Sequence, residues 1–154
     1  MTAPIFVSFK PEEEGFRGFM PIQASVDCDE DPQSVLREAV MVYERHIMKL
    51  RSLLREIQQA RAGGQLVPAR KVWQVGDLVF RLTCRLSKLS LQLDGLYLHL
   101  TRDLGVKRKW LEKAIILRRY ITKQTLIPKS LNWGRCEKGT RRVAVKLAKG
   151  LPLD

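Results

Sequence analysis

The chain has 154 residues, the size of one compact domain, and its 45% hydrophobic and 29% charged content excludes global disorder. Twenty-eight Lys and Arg against 16 Asp and Glu leave a formal net charge of +12, which points to a polyanionic partner. Cys28, Cys84 and Cys136 are odd in number and lack a C-x-x-C pair, so neither a disulfide framework nor a zinc site is expected, and a reducing cytoplasmic setting fits.

Residues 1–31 read as an acidic N-terminal arm: seven acids (Glu12, Glu13, Glu14, Asp27, Asp29, Glu30, Asp31) face only Lys10 and Arg17. Ile5 to Phe9 suits one short strand, and Pro11, Gly15, Gly18 and Pro21 break regular structure after it. The opening Met1-Thr-Ala-Pro has no basic stretch leading into an apolar core, so no secretory leader is expected. Apolar runs elsewhere are cut by Arg or Lys every few residues, so no membrane span is expected.

Residues 32–154 read as a basic helical domain. Asp31-Pro32 is a helix start, because the Asp carboxylate suits the N-cap and proline the first turn. Leu36, Ala39, Val40, Tyr43, Ile47, Leu50, Leu54 and Ile57 recur at three- and four-residue steps, which predicts one long amphipathic helix that Gly63-Gly64 ends. A second helix is expected from Pro68, burying Val72, Trp73, Val75, Leu78, Val79 and Leu82, with Gly76 permitting a close helix crossing. From Ser87 to about Asp103 the leucines alternate as in a strand, but leucine favours helix and β-branched residues are absent, so a helix is expected.

Leu100 to Val106 followed by Lys107-Arg-Lys-Trp110-Leu111 has the pattern of a helix-turn-helix, with Gly105 at the turn. The new helix puts Trp110, Leu111, Ala114, Leu117 and Ile121 on one side. Arg108, Lys109, Lys113, Arg119, Tyr120 and Lys123 fall on the other. Such a face suits a DNA groove, where cations reach phosphates or guanine edges. After Gly134 a second basic block, Arg135, Lys138, Arg141, Arg142, Lys146 and Lys149, is opposed by Glu137 alone. It reads either as a phosphate-tracking segment or as a solvated tail. Trp133, in a loop beside many cations, is the aromatic best placed to stack on a base, whereas Trp73 and Trp110 fall on apolar helix faces.

Val72-Trp73-Gln74-Val75-Gly76, Leu100 to Gly105 with the Arg-rich helix to Tyr120-Ile121, and Ser130-Leu131-Asn132-Trp133 together resemble the helical N-terminal domain of YhcG-like nucleases over residues 45–145. That family carries a W-x-I-G helix, an L-x-x-x-x-G turn and an L-S-W element around a winged-helix-like unit. The resemblance implies DNA recognition in a prokaryotic defence setting. Asn132 replaces the family's Ser, Gly134 follows Trp133, and no room remains for a PD-(D/E)xK nuclease domain, so it implies a stand-alone recognition module.

Little else suggests chemistry. His46 and His99 lack acidic or Cys partners at ligand spacing, so no metal and no cofactor are expected. Glu44, Glu56, Asp77 and Glu112 sit where Arg or Lys one turn away can pair with them. Gly134 to Thr140 lacks the G-x-x-x-x-G-K-S/T order of a phosphate loop. The sequence therefore predicts an all-α protein with a long N-terminal helix and a helix-turn-helix or winged-helix-like unit over about 87–148. It is expected to bind nucleic acid without catalysis: Lys107 to Lys123 present the reading surface, Arg135 to Lys149 hold phosphates, and Arg102 caps the contact. The alternative is a small helical RNA-binding subunit of a ribonucleoprotein, of the CRISPR small-subunit or reverse-transcriptase accessory type, whose 32–61 helix and acidic arm meet protein partners.

Overall fold

The computed structural model describes residues 5–8, 23–26, 32–89, 91–93 and 96–153. Its fold class is all-α: helices carry most of the described chain, and three short strands form one small sheet. The first helix, α1, runs from Pro32 to Ala62. Its apolar stripe is buried at Ala39, Val40, Tyr43, Ile47, Leu50, Leu54 and Ile57, as the three- and four-residue spacing requires. The side chain of Leu36 and the Asp31 cap lie outside the described residues. The helix α2, Ala69–Ser87, buries Val72, Trp73, Val75, Val79 and Leu82, with Leu78 half-buried beside them.

Between Ser87 and Asp103 the expectation of one helix fails. The chain forms β3, Leu91–Leu93, and then α3, Leu96–Leu104. The strand pairs antiparallel with β2, Gln23–Val26, which pairs in turn with β1, Ile5–Ser8. Leu91 stands opposite Val26 and Leu93 opposite Ala24. A partner strand distant in sequence satisfies these backbone groups, so the two-residue leucine period prevails over leucine's helix preference. The expected strand near residues 5–9 forms, while β2 arises after Pro21, where the breakers predicted no regular structure. The rest of the arm lies outside the described residues.

After Gly105 come α4, Arg108–Tyr120, a 3-10 turn at Gln124–Leu126, the short α5, Gly134–Glu137, and α6, Thr140–Ala148. No β-strand forms among the described residues after Leu93, so the wing of a winged-helix unit has no counterpart there.

The chain divides into two compact units. The first comprises residues 1–48 and 81–106, and the second 49–80 and 107–154. In the first, Tyr43, 1% exposed on α1, donates its hydroxyl proton to the Asp103 carboxylate on α3. His46 and His99 are buried in the same unit, rather than at the surface; His46 Nδ1 lies 2.7 Å from the Val42 carbonyl oxygen one turn back.

The second unit is assembled around Gly76. A Cβ there would stand 2.1 Å from the Ala114 carbonyl oxygen, so only glycine lets the α2 backbone approach α4 this closely. Trp73 Nε1 donates to the Ile121 carbonyl at the end of α4, at 2.7 Å. The Arg118 Nε–H donates to the Asp77 carboxylate at 2.8 Å, and its guanidinium lies 4.3 Å from the Phe80 ring centre and 5.6 Å from that of Trp73. Two backbone bonds, Ala69 N–H to Leu131 O and Trp133 N–H to Val67 O, tie the entry of α2 to the 131–133 segment. Two of the acids expected to pair one turn away have partners at long range: Asp77 with Arg118, and Glu56 with Lys71 at 2.9 Å. Glu112 meets Arg108 one turn away as expected, also at 2.9 Å.

Candidate nucleic-acid interface

Charge is divided sharply between the units. The second holds twenty Lys and Arg against five Asp and Glu, a net +15, which exceeds the charge of the whole chain. Thirteen of the fourteen residues expected to contact nucleic acid belong to it, and Arg102 falls on α3 in the first unit. Gly105 takes the left-handed conformation, φ +65°, and Val106 N–H reaches back to Thr101 O, which closes α3. The unit boundary follows directly, and within its own unit α4 packs against both α2 and α6.

The expected apolar side of α4 is buried at Leu111, Ala114, Leu117 and Ile121, with Trp110 half-buried. Its other side leaves Lys107, Arg108, Lys109, Arg119 and Lys123 exposed, whereas Lys113 and Tyr120 are half-buried. On α6, Thr140, Val143, Ala144 and Leu147 are buried. Arg141 and Arg142 are exposed, as are Arg135 and Lys138 ahead of them, and Lys146 is half-buried. The 135–149 stretch is thus folded onto a core and is not a solvated tail.

These cations differ in how much of their hydrogen-bonding capacity is already used. The Arg108 Nε–H is spent on Glu112, and the Arg141 Nε–H donates to the Tyr120 hydroxyl at 2.8 Å, with the guanidinium 5.7 Å from the tyrosine ring centre. Tyr120 is therefore engaged with Arg141 in the folded chain. Lys107, Lys109, Lys113, Arg119, Lys123, Lys138, Arg142 and Lys146 have no hydrogen-bond or ion-pair partner among the described residues.

Trp133 does not offer a stacking surface. It is 2% exposed, packs edge-on against Trp110 with ring centres 6.4 Å apart, and its Nε1 is buried as well. The sequence placed Trp133 in an open loop because its packing partner lies far away along the chain. Lys49, Arg51, Arg55 and Arg61 on α1, none of them singled out from the sequence as a contact, are exposed in the basic unit and enlarge its positive surface.

Cys136 is buried, and burial pushes its thiol up to about 11, with Arg135 pulling weakly the other way. A thiol so held stays protonated at neutral pH and is a poor nucleophile. Cys84 and Cys136 are both free thiols, and Cys28 lies outside the described residues. No three His, Cys, Asp or Glu side chains come together as a metal site among the described residues, and no helix there is long and apolar enough to cross a membrane.

No family model, no curated protein and no solved structure matches the chain. The likeness to the YhcG-like N-terminal domain therefore rests on its short motifs. Their Trp73, Gly76, Leu131 and Trp133 are all buried in the second unit, where they pack and set backbone spacing.

Proposed function

We propose that this protein is a non-enzymatic nucleic-acid-binding module whose second unit grips the phosphate backbone through α4, α6 and the segments around them. The observation that carries this reading is the net +15 gathered in one compact unit, with eight cations on and beside α4 and α6 left without partners among the described residues. Self-repulsion of that size opposes folding, and a polyanion relieves it while releasing its own counterions. Duplex DNA is the first target to test. If about six cations contact phosphate, log affinity falls against log salt with a slope near −5 on B-DNA. Replacing Arg108, Lys109 and Lys113 by Ala flattens that slope; an affinity indifferent to salt removes the proposal.

A second reading, an RNA-coating subunit of a ribonucleoprotein, gains support from two findings. Burial of Trp133 removes a base-stacking surface, which a subunit that coats the backbone does not need. Met41 and Met48 stand 55% and 70% exposed two helical turns apart on α1, a face suited to a protein neighbour. Competition with unrelated duplexes and with RNA separates the two: strong preference for one duplex sequence supports the DNA module, and indifference with tighter RNA binding supports the subunit.

A further inference from the structure

Within the basic unit, the surface of α6 carries a shallow groove whose walls are mainly apolar side-chain stems, lined by Gly139, Thr140, Arg141, Arg142, Val145 and Lys146, with no acidic residue among them. Arg141 is held in place: the Tyr120 hydroxyl on α4 accepts its Nε–H at 2.8 Å, and the guanidinium lies beside the tyrosine ring. That bond leaves the four terminal N–H donors of Arg141 for an oxyanion, in a fork whose orientation is already fixed. Arg142 folds back toward Gly139, so that its Nη2 lies 3.5 Å from where a Cβ would stand on that residue. Lys146 follows Arg142 by one helical turn, about 6 Å along the axis, and neither has a partner among the described residues.

We infer that this groove binds a phosphate group of the nucleic-acid backbone, gripped by Arg141, Arg142 and Lys146, with Tyr120 acting as a positioning residue through Arg141. The inference rests on the nucleic-acid reading above and gives it a defined contact. Three neighbouring cations without a carboxylate repel one another, and a bound phosphodiester removes that repulsion. A guanidinium fixed in advance loses less side-chain freedom on binding than a free one.

The test measures affinity of the full chain for labelled duplex DNA, single-stranded DNA and RNA across a salt series. Arg142→Ala with Lys146→Ala is expected to reduce the duplex salt slope by about 0.9, the share of one phosphate contact. Arg142→Gln with Lys146→Gln gives the same result while keeping more of the side-chain stems. Tyr120→Phe retains the charge of Arg141 and loses only its anchor. It is expected to weaken affinity about threefold to tenfold with the slope and the melting temperature unchanged, a split that general structural damage would not produce. A full slope in both double variants, or wild-type affinity in Tyr120→Phe, overturns the assignment. Inorganic phosphate at matched ionic strength distinguishes the source: if it binds the wild type but neither double variant, while nucleic-acid affinity is equal in all three, the groove serves free phosphate and the inference fails. A wild-type chain that binds no nucleic acid defeats the proposed function itself; one that binds with every variant unchanged defeats only the groove.

Discussion

The two units share α1 and α2 as continuous helices yet differ in electrostatic character. The first carries eight Lys and Arg against eleven Asp and Glu, a net −3, and the second twenty against five. Their interior polar anchors differ accordingly. The first relies on a hydrogen bond from Tyr43 to Asp103, and the second on the ion pair of Arg118 with Asp77, wrapped by Trp73 and Phe80. Of the many cations in the second unit, Arg118 is thus spent on the core, while those on the outer faces of α4 and α6 remain exposed. Charge excess and charge availability are separate properties, and the fold decides the second.

The largest way to break this contrast is at Gly76. Gly76→Val places atoms against the Ala114 carbonyl and is expected to cost about 3 kcal/mol or more, because the obstacle is backbone and must move as a whole. Hydrogen exchange should show protection lost mainly over residues 107–153; protection lost equally over residues 96–104 contradicts the division into units.

The anchors come next. Arg118→Met keeps a stem against Phe80 but removes the ion pair with the Asp77 carboxylate, whose side chain is 13% exposed, and is expected to cost about 2 kcal/mol in chemical denaturation. Tyr43→Phe removes one buried donor and should cost about 1 kcal/mol. Equal losses from the two changes remove the distinction between an ion-pair anchor and a hydrogen-bonded one.

The smallest effect at neutral pH belongs to Cys136. Its thiol titrates near 11 when folded against 9.0 ordinarily, so the folded state holds this proton more tightly than the unfolded chain does. The resulting stability is fully present below pH 9 and is lost as pH rises through 11. Wild type should therefore lose more stability than Cys136→Ala between those limits. At neutral pH an alkylating reagent should modify the half-buried Cys84 before Cys136; the reverse order contradicts the burial described.

What could be read from the sequence was what neighbours along the chain decide. The stripe from Ala39 to Ile57 needed only helical periodicity, and Gly76 marked a helix crossing because nothing else explains glycine within so apolar a run. The turn at Gly105 was legible for the same local reason. The apolar side of α4 and its cationic face also followed from the helical wheel. What escaped depended on partners distant in sequence. Leu91 and Leu93 became a strand through β2, Trp133 was buried by Trp110, and Asp77 met Arg118 from another helix. The link from Tyr120 to Arg141 was equally hidden: both read as independent contacts, although one holds the other.

Trp73, Trp110 and Trp133 all belong to the second unit, while Tyr43 and Tyr97 belong to the first. The chain therefore carries its own optical label. Indole emission, excited to the red of tyrosine absorption, follows the basic half alone, and Trp73, beside Arg118 and bonded to the end of α4, sits where a shift of that helix would change the spectrum. A titration with nucleic acid can be followed on the unaltered protein, without attaching a dye to any lysine under test.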